Sequence, residues 1–195
     1  MSTRRGFSVV ELLVAVVILG LALAVAVPSI VGWTHNLAIR NAAESLKGGI
    51  EKTRQVALRR NADMTFWLVS DASKALSNAC VRSLEGPSWV IAKLDPAGLC
   101  GTGASETVNP RIVETWSAAE GAAKVKIVTQ DAAGNASDQI VFNSLGQVTQ
   151  AGQITQIDIS HLDGGDARPL RILIGGGGSV RMCDPAVAAG DTRAC

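Results

Sequence analysis

Residues 6–31 read GFSVVELLVAVVILGLALAVAVPSIV, and this stretch decides the architecture of the chain. Glu11 is its only charged residue, and Arg4 and Arg5 stand just before it. As an α-helix, residues 7–27 span about 32 Å, enough to cross the hydrocarbon core of a bilayer. Because basic residues favour the cytoplasmic side, we predict a transmembrane or filament-core helix over residues 7–31 with a cytoplasmic N-terminus.

Two other interpretations of the apolar run fit less well. A secretory signal peptide has a shorter apolar core followed by a small-x-small cleavage site, and no clear site follows here. A core helix of a globular domain usually shows a polar face, and residues 7–31 without one are hard to bury in a 20.2 kDa protein. The membrane or filament helix is therefore favoured.

Glu11 is the unusual residue of this segment, because an unpaired carboxylate inside a membrane costs several kcal/mol. It follows Phe7 by one helical turn. Cleavage between Gly6 and Phe7 would create an α-amino group that could pair with Glu11 of the same or a neighbouring chain. The alternative is a carboxylate that reaches the headgroup region and has no specific partner.

The chain after the apolar run keeps helical periodicity but becomes amphipathic over residues 32–60. Charged residues fill much of the other face of this segment. Gly48-Gly49 weakens the helix by about 1 kcal/mol per glycine relative to alanine. We predict one long helix whose second half packs on a globular head. The apolar residues that recur at mostly three- or four-residue spacing are Ile39, Ala43, Leu46, Ile50 and Ala57.

Residues 61–195 change to the two-residue alternation of β-strands, separated by glycine- and proline-rich turns. The last five strands follow one another at hairpin-like spacing, which predicts an α+β fold with antiparallel sheets packed against the helix. Residues 71–87 and 97–123 are rich in loops and are candidates for partner-specific surface. The predicted strands are 64–70, 88–94, 124–129, 139–143, 154–160, 170–174 and 179–182.

Four cysteines allow three disulfide pairings. Cys80–Cys100 and Cys183–Cys195 are favoured, because each pair flanks one local loop and an exported head would lie in an oxidising compartment. The second bond would hold the C-terminal residue, which otherwise would fray. A zinc site is disfavoured, since no pair has the short C-x₂₋₄-C spacing.

Charge and aromatic content argue against a general nucleic-acid wrapper. Residues 40–60 contain six Lys/Arg against two Asp/Glu, whereas residues 61–195 contain ten against fourteen. A protein that wraps nucleic acid is basic across its folded part. The chain has no tyrosine and only 4% aromatic residues, so a stacking platform for single strands is not expected.

No catalytic motif is present. The chain lacks a G-x-S-x-G nucleophile turn, and Gly175–Gly178 lacks the Lys-Ser/Thr that a phosphate loop requires. His161, near Asp158 and Asp163, is predicted as a solvated loop histidine rather than a catalytic or metal residue. We therefore expect no enzyme, no cofactor and no metal.

Gly6-Phe7-Ser8-Val9-Val10-Glu11-Leu12-Leu13 resembles the class III signal of type IV pilins and type II secretion pseudopilins. The resemblance implies that residues 1–6 are a leader, that prepilin peptidase cleaves after Gly6 at the cytoplasmic face of the bacterial inner membrane, and that Phe7 is N-methylated. It also implies that Glu11 aligns subunits in a helical filament. Pro28 matches a helix-kinking proline that is common in these proteins, and a proline inside a helix also removes one backbone hydrogen bond.

The rest of the chain resembles the GspH/FimT-type minor pilins. The motifs are Cys80, Trp89-Val90-Ile91 and Asp95, then Ile140–Asn143 with Gly146, and finally Gly178–Pro185 with Asp191–Cys195. The resemblance implies a long N-terminal helix with a periplasmic head of two small antiparallel sheets. It also implies a minor pilin near the tip of a type IV pilus, which primes assembly by contacts with other pilins. A minor pseudopilin of type II secretion is the alternative.

Some members of that family bind DNA through an arginine-rich C-terminal strand with Gly-Arg-x-Arg. Here the matching residues are Gly178-Ser179-Val180-Arg181, so the motif is half present. A small patch of this kind would bind DNA weakly and with strong salt dependence. The alternative is that its arginines pair with nearby aspartates or face a neighbouring subunit, and DNA is the less favoured partner. The candidate residues are Arg168, Arg171, Arg181 and Arg193.

Overall fold

The computed structural model describes residues 8–71, 73–148, 151–164 and 167–195, with the side chains of residues 23–30 excepted. A single helix, α1, runs from Val9 to Arg60. Ser8 caps its N-terminus, and its hydroxyl accepts a hydrogen bond from the N–H of Val10 (3.3 Å). Asn61, in the left-handed conformation (φ 46°), ends the helix. The predicted continuous helix is therefore present.

In the described part of the chain, α1 is followed by eight strands and one 3₁₀ turn. The strands form two four-stranded antiparallel sheets. Sheet 1 has the order β3-β2-β1-β5, and sheet 2 has the order β4-β6-β7-β8. This agrees with the α+β fold and the two sheets expected from the resemblance. The strands are β1 (Met64–Val69), β2 (Ser88–Ala92), β3 (Ile112–Trp116), β4 (Val125–Gln130), β5 (Gln139–Phe142), β6 (Gln156–His161), β7 (Leu170–Ile174) and β8 (Val180–Cys183); the 3₁₀ turn is Cys100–Thr102.

Strand β3 was not predicted, since it lies inside the segment 97–123 that the sequence presents as loop. It lies at the edge of sheet 1 beside β2, and the register of this pair shifts between Ile91 and Ala92. Its side chains are mostly half-buried, so the two-residue alternation is weak. Glu114, in the middle of the strand, pairs with Lys52 of α1. Tertiary pairing rather than local pattern makes this segment a strand.

Strand β5 corrects the prediction of consecutive hairpins. It leaves its sequence neighbours β4 and β6, which pair with each other, and joins β1 in the other sheet. Ile140 and Phe142 are fully buried in the common core. Alternation shows which side chains of a strand face the core, but it does not show which strand is its partner.

The main core lies between the second half of α1 and the two sheets. Gly49 lies where α1 approaches sheet 1, and a Cβ there would come within 2.9 Å of the rings of both Phe66 and Trp89. The Trp89 Nε1–H also donates a hydrogen bond to the Ser45 hydroxyl of α1 (3.0 Å). The predicted apolar face of the helix is confirmed, because its five residues are all buried: Ile39, Ala43, Leu46, Ile50 and Ala57.

A second apolar cluster covers the other face of sheet 1. The cluster includes Trp67 and Val90 from the sheet and Cys80 and Cys100 from the loops that cross it. Cys80 and Cys100 form a disulfide bond with Cα atoms 6.1 Å apart. Because both faces of sheet 1 are covered here, every residue of β1 is buried.

The C-terminal segment folds back beside β8. Cys183, at the end of β8, forms a disulfide bond with Cys195. The N–H of Asp184 donates to the main-chain oxygen of Arg193 (2.8 Å), and Asp184 forms a parallel bridge with Ala194. The last residues are therefore attached to sheet 2.

Candidate functional site

The N-terminal part of α1, residues 9–22, is an exposed apolar surface. Every residue from 8 to 22 is exposed, and Val9 reaches 82%. Trp33, further along the helix, is also 65% exposed. A run of large apolar side chains in contact with solvent marks a surface that binds protein or lipid. We call residues 8–22 the exposed apolar segment.

The sequence-predicted residues of this region fall partly outside the described structure. Gly6 and Phe7 lie outside it, and so does the side chain of Pro28, so processing and a kink at Pro28 stay predictions. Glu11 is exposed in the first turn of α1. A carboxylate there interacts favourably with the positive end of the helix dipole. Within the described residues, no helix has both the length and the apolar character needed to cross a bilayer.

Three of the four candidate arginines of the C-terminal strands already have partners. Arg171 pairs with Asp158 (Nε–Oδ1 2.6 Å), a half-buried pair between β7 and β6. Arg193 pairs with Asp191, and hydrogen bonds from the side chain and main chain of Arg193 lower the pKa of Asp191 to about 2. Arg181 donates to the main-chain oxygen of Cys195 (2.9 Å). These contacts agree with the alternative in which the arginines form ion pairs and hydrogen bonds within the head.

The structure brings Arg168 and Arg193 together with Arg40 of α1, around an open cavity of about 690 Å³ beside sheet 2. Arg40 was not among the predicted site residues, because it lies far away in sequence on the helix. Its guanidinium already pairs with Glu44 one turn later (3.0 Å). Arg171 and Arg181 do not line this cavity. The four predicted arginines therefore do not form one continuous patch.

His161 is not the solvated loop residue that the sequence predicts. It is the last residue of β6 and is buried, and its ring stacks on the ring of His35 from α1, with centroids 3.7 Å apart. The N–H of Asp163 donates to His161 Nδ1 (3.2 Å). Burial lowers the pKa of His161, and the neighbouring His35 adds to this effect. Sequence reasoning missed the pair because its two residues come from distant elements.

Comparison with known families gives two matches. The family model described as "Type II transport protein GspH" matches residues 42–178, more than half of the chain. The model described as "Prokaryotic N-terminal methylation motif" matches residues 1–27. No curated protein sequence matches the chain.

Similar solved structures come from two bacteria. One crystal form of the type IV minor pilin FimU of Pseudomonas aeruginosa is 14% identical to this chain, with a TM-score of 0.48. The match covers 78% of this chain and 92% of the FimU chain. A second crystal form is 12% identical, with 77% and 97% covered and a TM-score of 0.47. The minor pseudopilin EpsH from the Type 2 Secretion System of Vibrio cholerae is 13% identical, with 76% and 98% covered and a TM-score of 0.44. The extent of the first family match shows that this chain belongs to the GspH family.

Proposed function

We propose that this protein is a minor pilin of the type IV pilus, with a structural rather than a catalytic role. One observation carries the proposal: a single helix, α1, leads from the N-terminal methylation motif into a GspH-family head. The sheets pack on the second half of this helix, and residues 8–22 stay exposed. Such a subunit carries its own head and offers an apolar surface to similar helices.

Before assembly, the apolar run of residues 7–31 anchors the chain in the bacterial inner membrane, with the N-terminus in the cytoplasm and the head in the periplasm. Prepilin peptidase cleaves after Gly6, and the new N-terminus at Phe7 is methylated. The subunit then joins other pilins near the filament tip through its helix and primes assembly. Transfer from lipid to a bundle of apolar helices keeps the helix surface covered throughout.

Glu11 supplies the register of this packing. Its carboxylate pairs with the α-amino group of a cleaved neighbouring subunit, because an unpaired charge among apolar helices is costly. Only one axial offset between two helices brings the two charges together. The pair therefore selects the axial offset between two neighbouring helices.

A minor pseudopilin of type II secretion is the second candidate, favoured by the family description "Type II transport protein GspH". Cleavage, anchoring and helix packing are the same in both machines, so the partners of the head distinguish them. DNA uptake is less favoured, because Arg171 and Arg193 are already paired with aspartates.

Replacement of Gly6 by valine should prevent removal of residues 1–6. The full chain is co-expressed with a prepilin peptidase, and the mass of the purified protein is measured. The wild type should lose six residues and gain one methyl group on Phe7, whereas Gly6→Val should keep its leader. Thr3→Val is the control, because it places the same side chain elsewhere in the leader and should be processed normally. Cleavage of Gly6→Val, or an intact leader on the wild type, would contradict this.

Replacement of Glu11 by glutamine should lower incorporation into filaments by about tenfold, without affecting cleavage. A hydrogen bond to a charged group contributes about 1.5–3 kcal/mol, and 1.4 kcal/mol is a factor of ten. The measurement is the fraction of the chain in sheared filaments relative to membranes. Glu44→Gln is the control, because Glu44 is an exposed acid on the same helix and pairs with Arg40 one turn before it. Equal loss in both variants would argue against a register role for Glu11.

Co-purifying chains distinguish a type IV pilus subunit from a type II secretion subunit. Chains that co-purify with the membrane-embedded protein are identified by mass spectrometry. Recovery of pilus subunits supports the first candidate, and recovery of secretion pseudopilins alone replaces it with the second.

A further inference from the structure

We propose that His35, His161 and Asp163 form a binding site for a divalent transition metal such as Zn²⁺, which ties α1 to the end of β6. The proposal does not depend on whether the protein belongs to a type IV pilus or to a type II secretion system. It concerns a cluster that neither the apolar segment nor the C-terminal arginines explain.

The three side chains offer donor atoms in one place. One ligand atom from each residue lies within 4.8 Å of the other two, and His161 Nδ1 is 3.8 Å from Asp163 Oδ2. Ligands about 2.1 Å from a tetrahedral zinc ion are about 3.4 Å apart. The observed separations exceed this spacing by up to about 1.4 Å, so the side chains have to move to hold an ion. Three protein ligands leave the fourth position to water.

The rearrangement involves the two accessible side chains. Imidazole lone pairs lie in the plane of the ring, so two stacked rings do not both point at an ion placed between their faces. His161 is held in the core, but His35 is half-buried and Asp163 is exposed. The proposal therefore requires the His35 ring to rotate out of the stack and the Asp163 carboxylate to turn, so that the three ligand atoms face one ion.

The ligand atom on His161 is Nδ1. It accepts the N–H of Asp163, so it carries a lone pair and no proton. A metal ion at Nδ1 displaces this hydrogen bond. Because Asp163 is exposed, its released N–H can bind water, and the cost is small.

The charged and titratable groups around the cluster have opposing effects on the binding of a metal ion. Burial lowers the pKa of His161, so the ring is neutral near pH 7, as a metal ligand must be. The Asp163 carboxylate offsets part of the charge of the ion. Lys124 opposes it, since its ammonium lies 3.4 Å from Asp163 Oδ2. The Lys124 side chain is 71% exposed, so water weakens this repulsion without removing it.

The experiment uses the full chain without an affinity tag, in detergent micelles, titrated with Zn²⁺ against a chromophoric chelator. We expect one Zn²⁺ per chain and a rise in the unfolding temperature with Zn²⁺. His35→Ala and Asp163→Asn should each weaken binding by at least about 100-fold, since loss of an outer partner alone costs 10- to 100-fold. Circular dichroism checks that each variant is folded.

Lys124→Gln should have the opposite effect and raise the affinity for Zn²⁺. Removal of the ammonium beside Asp163 should strengthen binding by about three- to tenfold, because its repulsion of a divalent ion is of the order of 1 kcal/mol. Binding of Co²⁺ should give the visible absorption of a tetrahedral site, and His35→Ala should abolish it. Absence of stoichiometric binding, binding that persists in both His35→Ala and Asp163→Asn, or unchanged affinity in Lys124→Gln would each overturn the proposal.

Discussion

Replacement of Gly49 by leucine should destabilise the head by about 3 kcal/mol, whereas the same change at the adjacent Gly48 should stabilise it by about 0.5–1 kcal/mol. A side chain at Gly49 meets the rings of Phe66 and Trp89, which are buried and have no room to move. Overpacking of this kind costs about 1–3 kcal/mol or more. A Cβ at Gly48 meets nothing within 4 Å, so only the higher helix propensity of leucine remains.

The measurement is urea unfolding of the full chain in micelles, followed by tryptophan fluorescence. Gly49→Ala should be intermediate, because its gain in helix propensity offsets part of the steric cost. If both glycines responded alike, the close approach of α1 to sheet 1 at Gly49 would be excluded as the reason for a glycine there.

Removal of the Cys80–Cys100 bond by a double alanine substitution should lower the free energy of unfolding by about 3 kcal/mol. The bond joins residues 20 apart in sequence, and the chain-entropy model gives about this value for a loop of that length. Both cysteines are also buried in the cluster over sheet 1, so their loss leaves a small cavity. Unfolding in urea and protease cleavage between residues 81 and 99 should both become easier.

The second disulfide serves as the comparison. Cys183→Ala/Cys195→Ala removes the bond between residues that are only 12 apart in sequence, and it should leave protease sensitivity at residues 81–99 unchanged. A reducing agent should affect each double variant only through its remaining bond. An unfolding midpoint unaffected by loss of Cys80–Cys100 would contradict the role of this bond in holding the loops on sheet 1.

The long helix, its buried face and most strands follow from sequence, because each depends on local periodicity. The apolar face from Ile39 to Ala57 repeats every three or four residues, and strands such as β4 alternate cleanly between buried and exposed. The cysteine pairs of the structure are also those favoured by loop length. These are features in which neighbours along the chain decide the outcome.

Other features depend on contacts between distant residues and have no local pattern. Strand β3 exists because β2 pairs with it, and β5 changes sheets because its partner is β1. Gly49 looks like a weak point of the helix until the two aromatic rings that lie against it are known. His35 and His161 are separated by most of the head sequence, so nothing in the chain indicates that their rings stack.

The C-terminal segment that folds back beside β8 also limits how the protein can associate with others. An uncovered outer strand offers free N–H and carbonyl groups to any passing chain, and such edges lead to aggregation. Here the main-chain N–H of Asp184, which follows β8, donates to the main-chain oxygen of Arg193, and the Arg181 guanidinium donates to that of Cys195. Residues 193–195 thereby cover the end of β8 and hinder the pairing of a second chain there.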